Sequence, residues 1–94
     1  MSSDLGKKVR EIREAESLGR QAFSDLTGIP KQTLINIENG RSGPSGKLLA
    51  QVSTAFSKYT LWLMTGEVNE AGGQVSPEIE KARKTLKQTG TDTD

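Results

Sequence analysis

Leu5, Val9 and Ile12 recur at the spacing that lines one face of a helix, while Lys7, Lys8, Arg10, Glu11 and Glu14 fall largely on the other faces. The pattern predicts a first helix running from a cap at Ser3 or Asp4 to about Ser17. A short second helix is expected over 20–27, burying Phe23 and Leu26, with Gly28 placed to end it in the left-handed conformation. Ile29-Pro30 leads into a third helix over 31–38, since the first turn of a helix needs no N–H from its proline. Asn39-Gly40, both tolerant of positive φ, closes it. After a loop by composition at 41–46, a fourth helix over 46–57 carries Leu48, Leu49, Val52, Ala55 and Phe56. A fifth, short and apolar, is expected over 60–65 and stops at Gly66. The stretch 68–76, with Gly72-Gly73 in its middle, reads as a linker. Pro77 opens a last helix to about Gln88, with Ile79, Ala82 and Leu86 on one side and Glu80 placed to pair with Lys84. The remaining 89–94 read as a disordered tail. The expected class is all-α, with one domain over 1–67, a linker over 68–76, and a C-terminal helix and tail over 77–94.

The informative stretch is 20–39. Two short helices crossing steeply through a tight turn make five demands. A small residue belongs where they cross, and Ser24 is there. Four residues on, Gly28 supplies the freedom the turn needs, and Ile29 is apolar to plug it. Leu34 and Ile37 can anchor the inner face of the second helix, and Phe23 the first. A helix-turn-helix and an ordinary helical hairpin both satisfy this spacing.

The flanks narrow the choice. Val9-Arg10-Glu11-Ile12-Arg13, Gly28-Ile29, Ile37-Glu38-Asn39-Gly40, Pro44 and Trp62-Leu63-Met64-Thr65-Gly66-Glu67 occur in the order and spacing of the lambdoid phage repressor and Cro family, which residues 5–67 closely resemble. The resemblance implies a five-helix, lambda-repressor-like DNA-binding domain with, here, a C-terminal helical extension. Its third helix enters the major groove, and such proteins bind inverted-repeat operators as dimers. It also implies that Arg13 and Glu38 form a partly buried ion pair; the plain alternative is two surface charges. Lys31, Gln32, Thr33, Ile35 and Asn36 fall on base-facing positions. An amide bonds adenine bidentately, Lys donates to guanine, and Thr33 offers a hydroxyl or a methyl. Ile35 either touches thymine methyls or is a stray exposed aliphatic. Phosphate contacts are expected from Arg20, Asn39, Arg41, Ser42, Ser45 and Lys47, the last two opening the fourth helix, while Lys7 and Lys8 solvate the first. Trp62 should turn to the core, leaving Leu61 and Met64 exposed for dimerisation, with Ile79 and Leu86 adding a second contact or folding back. Three positions depart from the family: Phe23-Ser24 replaces a commoner Leu-Ala pair, Pro30 replaces a capping Ser or Thr, and the loop after Arg41 is short of basic residues.

Composition changes this picture little. The 94 residues are 32% hydrophobic and 27% charged, one domain's worth of chain with no stretch long enough to span a bilayer. The absence of Cys and His removes thiolate zinc sites, Cys nucleophiles and the usual triads, so no enzyme, catalytic residue, metal or cofactor is expected. Up to Gly66 there are nine Lys and Arg against six Asp and Glu, and beyond it four against six. A mildly basic front half suits an anionic partner by a small margin only, and it is the resemblance that implies double-stranded DNA. The N-terminus has no export pattern, so a cytoplasmic, nucleoid-associated protein is expected. An antitoxin that represses its own operon and a restriction–modification controller share the fold; the antitoxin reading gives residues 68–94 a toxin protein to bind, and an antirepressor protein is the other candidate partner. A protein-interaction module without DNA binding would carry an aromatic anchor where Lys31, Gln32 and Asn36 stand. The chain after Gly66 is too short for a self-cleaving domain, so inactivation by self-cleavage is not expected.

Overall fold

A computed structural model describes residues 2–92, with side chains from 5 to 86. Six helices follow one another among the described residues: α1 Ser2–Ala15, α2 Arg20–Thr27, α3 Lys31–Glu38, α4 Gly46–Ala55, α5 Thr60–Thr65 and α6 Pro77–Asp92. Two single 3₁₀ turns, Ser57–Tyr59 and Glu70–Gly72, interrupt the connections. The expected all-α class holds. None of the described helices is long and apolar enough to cross a membrane.

The core forms where the apolar stripes of the first five helices meet. Val9 and Ile12 of α1, Phe23 of α2, Leu34 of α3, Val52 of α4 and Leu63 of α5 have no exposed surface. Each such side chain contributes about 1.5–3 kcal/mol relative to leaving it in water. Phe23 stacks on Phe56 with ring centres 5.3 Å apart. Leu26 departs from expectation: it is 59% exposed, and Thr27 is buried in its place. Thr27 sits one position on and donates its hydroxyl to the Phe23 carbonyl (2.8 Å), so its polar atom is paired where it is buried.

α1 stops two residues earlier than the periodicity implied. Ser17 adopts φ +59°, its N–H bonds to the Glu14 carbonyl (3.0 Å), and the Leu18 N–H reaches the Arg13 carbonyl (3.1 Å). This is a Schellman ending with serine where glycine is usual, and Leu18 packs on the core beyond it. The cap expected at Ser3 or Asp4 lies outside the described side chains. α4 also ends early, at Ala55, which is exposed.

The stretch 68–76, expected as a linker, is packed down. Asn69 and Gln74 bridge across the Glu70–Gly72 turn, and the Val75 N–H bonds to the Lys58 carbonyl (2.8 Å). The Gln74 amide accepts from the Leu61 N–H (2.9 Å) and donates to the Ser57 carbonyl (3.0 Å), closing the start of α5. Val75, 2% exposed, joins the core. Composition missed this because the glycines serve a tight turn, Gly73 having φ +81°. α6 then packs against α1 and runs past the expected end at Gln88 to Asp92. The rest of the expected disordered tail, 93–94, lies outside the described residues.

α6 is held by polar contacts unlike those expected. Glu80 binds Lys58 (2.8 Å) and Arg83 (3.2 Å) instead of Lys84, whose ammonium donates to the Ala15 carbonyl at the end of α1. Lys58 also binds Glu16 (3.0 Å), and Tyr59, with no exposed surface, donates its hydroxyl to the same Glu16 oxygen (2.5 Å).

Candidate DNA-binding site

The crossing of α2 and α3 is built from hydrogen bonds made by small residues. Ser24 donates its hydroxyl to the Ile29 carbonyl (2.5 Å), so it ties the turn as well as leaving room. The Thr27 hydroxyl accepts from the Ile29 N–H (3.2 Å), and Gln51 of α4 donates to the Thr27 carbonyl (3.3 Å). Gly28, at φ +78°, turns the chain with its N–H on the Ser24 carbonyl (2.9 Å). Ile29 is 1% exposed. The Ser24 and Thr27 hydroxyls of this short turn both have partners, which helps to fix how α3 is presented.

α3 begins at Pro30 without a side-chain cap, as its residue type requires. Leu34 and Ile37 face inward. α1 crosses α3 at very close range: a Cβ on Gly6 would lie 2.3 Å from the Ile37 carbonyl oxygen. The pattern of apolar residues gave no sign of this contact, because glycine adds nothing to a hydrophobic stripe. On the opposite side Lys31 and Gln32 are exposed, and Thr33, Ile35 and Asn36 are half-buried. Gln32 and Asn36, one turn apart, join through a hydrogen bond from Nε2 to Oδ1 (3.2 Å). Ile35 is thus neither fully exposed nor part of the core.

The last turn of α3 is pinned by Glu38, whose side chain has no exposed surface. Arg13 grips it with two bonds, Nε to Oε2 (2.8 Å) and Nη2 to Oε1 (2.9 Å), and its remaining Nη1 donates to the Leu18 carbonyl (2.9 Å). The hydrogen bonds to Glu38 raise the Arg13 pKa above its already high ordinary value, against the opposing effect of burial. Arg20 adds a third contact, Nε to Oε1 (3.1 Å). Arg20 is therefore committed at one edge to Glu38, a partner the sequence did not reveal. Its side chain as a whole remains 38% exposed.

Asn39, Arg41, Ser42, Ser45 and Lys47 are all exposed in the segment joining α3 to α4. The N–H groups of Arg41 and Ser42 both reach back to the Asn36 carbonyl (2.9 and 3.4 Å), so these two offer side chains to a ligand and not main-chain donors. The Ser45 hydroxyl caps α4 by accepting from the Leu48 N–H (3.1 Å); its own proton stays free to donate. Lys7 is exposed. Lys8, expected to do no more than solvate α1, donates to the Trp62 and Leu63 carbonyls (3.2 and 3.5 Å) and lies over the Trp62 ring at 5.3 Å. It supplies the cation that the C-terminal end of α5 favours.

Trp62 is half-buried against the core, but Leu63 takes the deepest position in α5. Met64 is 56% exposed, whereas Leu61 is half-buried and not the exposed neighbour expected. Val68, 41% exposed just beyond α5, was not singled out by its sequence context. The stripe of α6 divides: Ile79 packs on the domain's own core, while Ala82 and Leu86 are exposed, Leu86 at 72%. Among the described residues no three His, Cys, Asp or Glu gather to hold a metal ion.

A five-helix core that holds two short helices across a glycine turn, with an amide-bearing outer face on the second, defines the helix-turn-helix class. The helix-turn-helix family matches residues 9–63, and the chain belongs to it. Repressor protein C of Escherichia phage P2 is 38% identical over 81 residues, 84% of this chain and 82% of that protein. The competence pilus inhibition repressor of Acinetobacter baylyi is 32% identical over 54 residues, 57% of this chain and 49% of that protein, so the chain matches about half the length of this second relative. The likeness therefore runs beyond the helix-turn-helix segment for the phage protein, and the family is of the phage-repressor type.

Proposed function

We propose that this protein is a transcriptional repressor of the phage type that occupies an inverted-repeat operator as a homodimer. The observation that carries the reading is α3: its inner face is locked by Leu34, Ile37 and the Arg13–Glu38 pair, while its outer face keeps Lys31, Gln32 and Asn36 outside the core. A helix fixed that firmly and polar on its free side suits the reading of base edges. That the two relatives carry the name repressor supports the direction of regulation.

In this reading Lys31, Gln32, Thr33, Ile35 and Asn36 meet bases, and Asn39, Arg41, Ser42, Ser45 and Lys47 meet phosphates, which set register without reading sequence. Arg20 offers a phosphate only its terminal amino groups, its Nε being taken by Glu38. Met64 and Val68 form the seam between copies, with Leu61 at its edge. Leu86 is the α6 residue left to extend it, since Ile79 is used within the domain. Two copies of α3 then stand about 34 Å apart, one turn of duplex.

Selection of bound duplexes from a random pool tests the whole reading. The expected result is enrichment of two half-sites related by inverted repeat. Recovery of one unrepeated half-site rejects the dimer, and recovery of no motif rejects sequence-specific binding.

A further inference from the structure

Gln32 and Asn36 stand one turn apart on the outer side of α3, and a hydrogen bond joins them. The Gln32 Nε2 donates one hydrogen to Asn36 Oδ1 (3.2 Å). Among the described residues, Gln32 Oε1 and Asn36 Nδ2 have no protein partner. The main chain of Asn36 is tied down as well, its carbonyl taking the N–H groups of Arg41 and Ser42.

We infer that Gln32 and Asn36 form one reading unit, in which Gln32 sets the orientation of the Asn36 amide and so decides which base Asn36 accepts. This rests on the proposal that α3 reads DNA and specifies what it reads. A carboxamide carries an acceptor at one end and two donors at the other, and unaided it presents either end to a base. With Oδ1 turned to Gln32, Asn36 presents its two donors outward. Gln32 keeps its second N–H and its Oε1, a donor beside an acceptor, which complements the N7 and N6–H of adenine. Asn36 then suits a base offering acceptors only in the major groove, guanine through N7 and O6 or thymine through O4. Four residues of helix rise about 6 Å, and successive base pairs stack about 3.4 Å apart, so the two bases lie one or two steps apart. The site selects adenine together with guanine or thymine within two steps. Exclusion of water at a DNA interface strengthens the bond between the amides, since water no longer competes for either.

The test repeats the selection with Gln32→Ala, Asn36→Ala, the double variant and Gln32→Glu, with thermal melts to show that each folds. The parent is expected to enrich adenine and a nearby guanine or thymine. Gln32→Ala should lose preference at both positions, because the Asn36 amide is released, whereas Asn36→Ala should lose only the second. Asn36→Ala should bind the selected site about tenfold more weakly, within the range of one bidentate contact, Gln32→Ala about a hundredfold more weakly for the loss of both contacts, and the double variant no more than about twofold worse than Gln32→Ala. Gln32→Glu, an acceptor at both oxygens, should turn the first preference to cytosine. It should also turn the Asn36 Nδ2 towards itself, so that Asn36 presents Oδ1 and prefers a base with an exposed donor. If the single losses multiply in the double variant and each residue affects only its own base, the coupling is wrong although DNA reading stands. If the parent enriches no motif, DNA reading itself is wrong and the coupling falls with it.

Discussion

Glu38 accepts three guanidinium N–H groups with no exposed side-chain surface of its own, so its loss leaves two arginines short of a partner. A buried pair is weak as a source of stability, yet removing one partner leaves the other charge uncompensated. Glu38→Gln should destabilise the protein by about 3 kcal/mol, at the lower end for a broken buried pair because Arg20 is partly solvated; urea denaturation measures it. Ser17 is the opposite case. At φ +59° its Cβ is strained in a position where glycine has no penalty. Glycine there relieves about 1–2 kcal/mol but adds unfolded-chain entropy worth about 0.4–1 kcal/mol. Ser17→Gly should therefore raise stability by somewhat under 1 kcal/mol and leave DNA affinity unchanged, as melts and operator titrations will show.

Among elements, the crossing of α1 and α3 sets where the recognition helix stands. Gly6→Ala brings a methyl to 2.3 Å from the Ile37 carbonyl, a backbone atom that cannot turn aside. Alanine favours the helix by about 1 kcal/mol, but forcing the helices apart costs about 1–3 kcal/mol. The expected outcome is a net loss of up to about 2 kcal/mol at equilibrium unfolding, with weaker operator binding because α3 moves off its seat. The helices themselves were legible, since Val9, Ile12, Leu34 and Ile37 recur at helical spacing and Gly28 and Gly66 stop helices where a positive φ is needed. The Arg13–Glu38 pair was legible through family resemblance, not through periodicity. What periodicity does not register is contact between elements. Gly6 is invisible as a hydrophobe, and Arg20 looks free until Glu38 arrives from 18 residues away. Lys84 looks like the partner of Glu80 until the end of α1 and Lys58 compete for them. Gly72-Gly73 reads as slack, yet Gln74 and Val75 close the start of α5 and fill the core.

At the scale of the molecule, the outer apolar residues and the polar latch on α6 make separate demands. Met64→Glu puts a charge where Met64 is 56% exposed, so the monomer should fold as before. With Met64 in the seam between copies, sedimentation and titration should show weaker, less cooperative operator binding with half-site affinity kept. The latch responds to pH instead. Glu80 is held below the ordinary carboxylate range chiefly by its hydrogen bond from Lys58, so its contribution is present above about pH 4.3 and is lost as acid protonates it. Burial would lower the Lys58 pKa, but its bonds to Glu80 and Glu16 outweigh that and raise it. Burial, and then the bond to Glu16, raise Tyr59 far above its ordinary value of 10.0. For both groups the folded state keeps a proton that the unfolded chain releases, so their stabilisation is intact below about pH 10 and falls as pH rises beyond it. Tyr59 alone should cost about 1.4 kcal/mol per pH unit in that range. Tyr59→Phe separates it from Lys58. At pH 7 the variant should be about 1.5–3 kcal/mol less stable for want of the hydrogen bond to the Glu16 carboxylate, and above pH 10 its melting temperature should fall less steeply than the parent's. Parallel alkaline slopes in melts from pH 7 to 11 would show that the Tyr59 phenol is not what limits the fold in base.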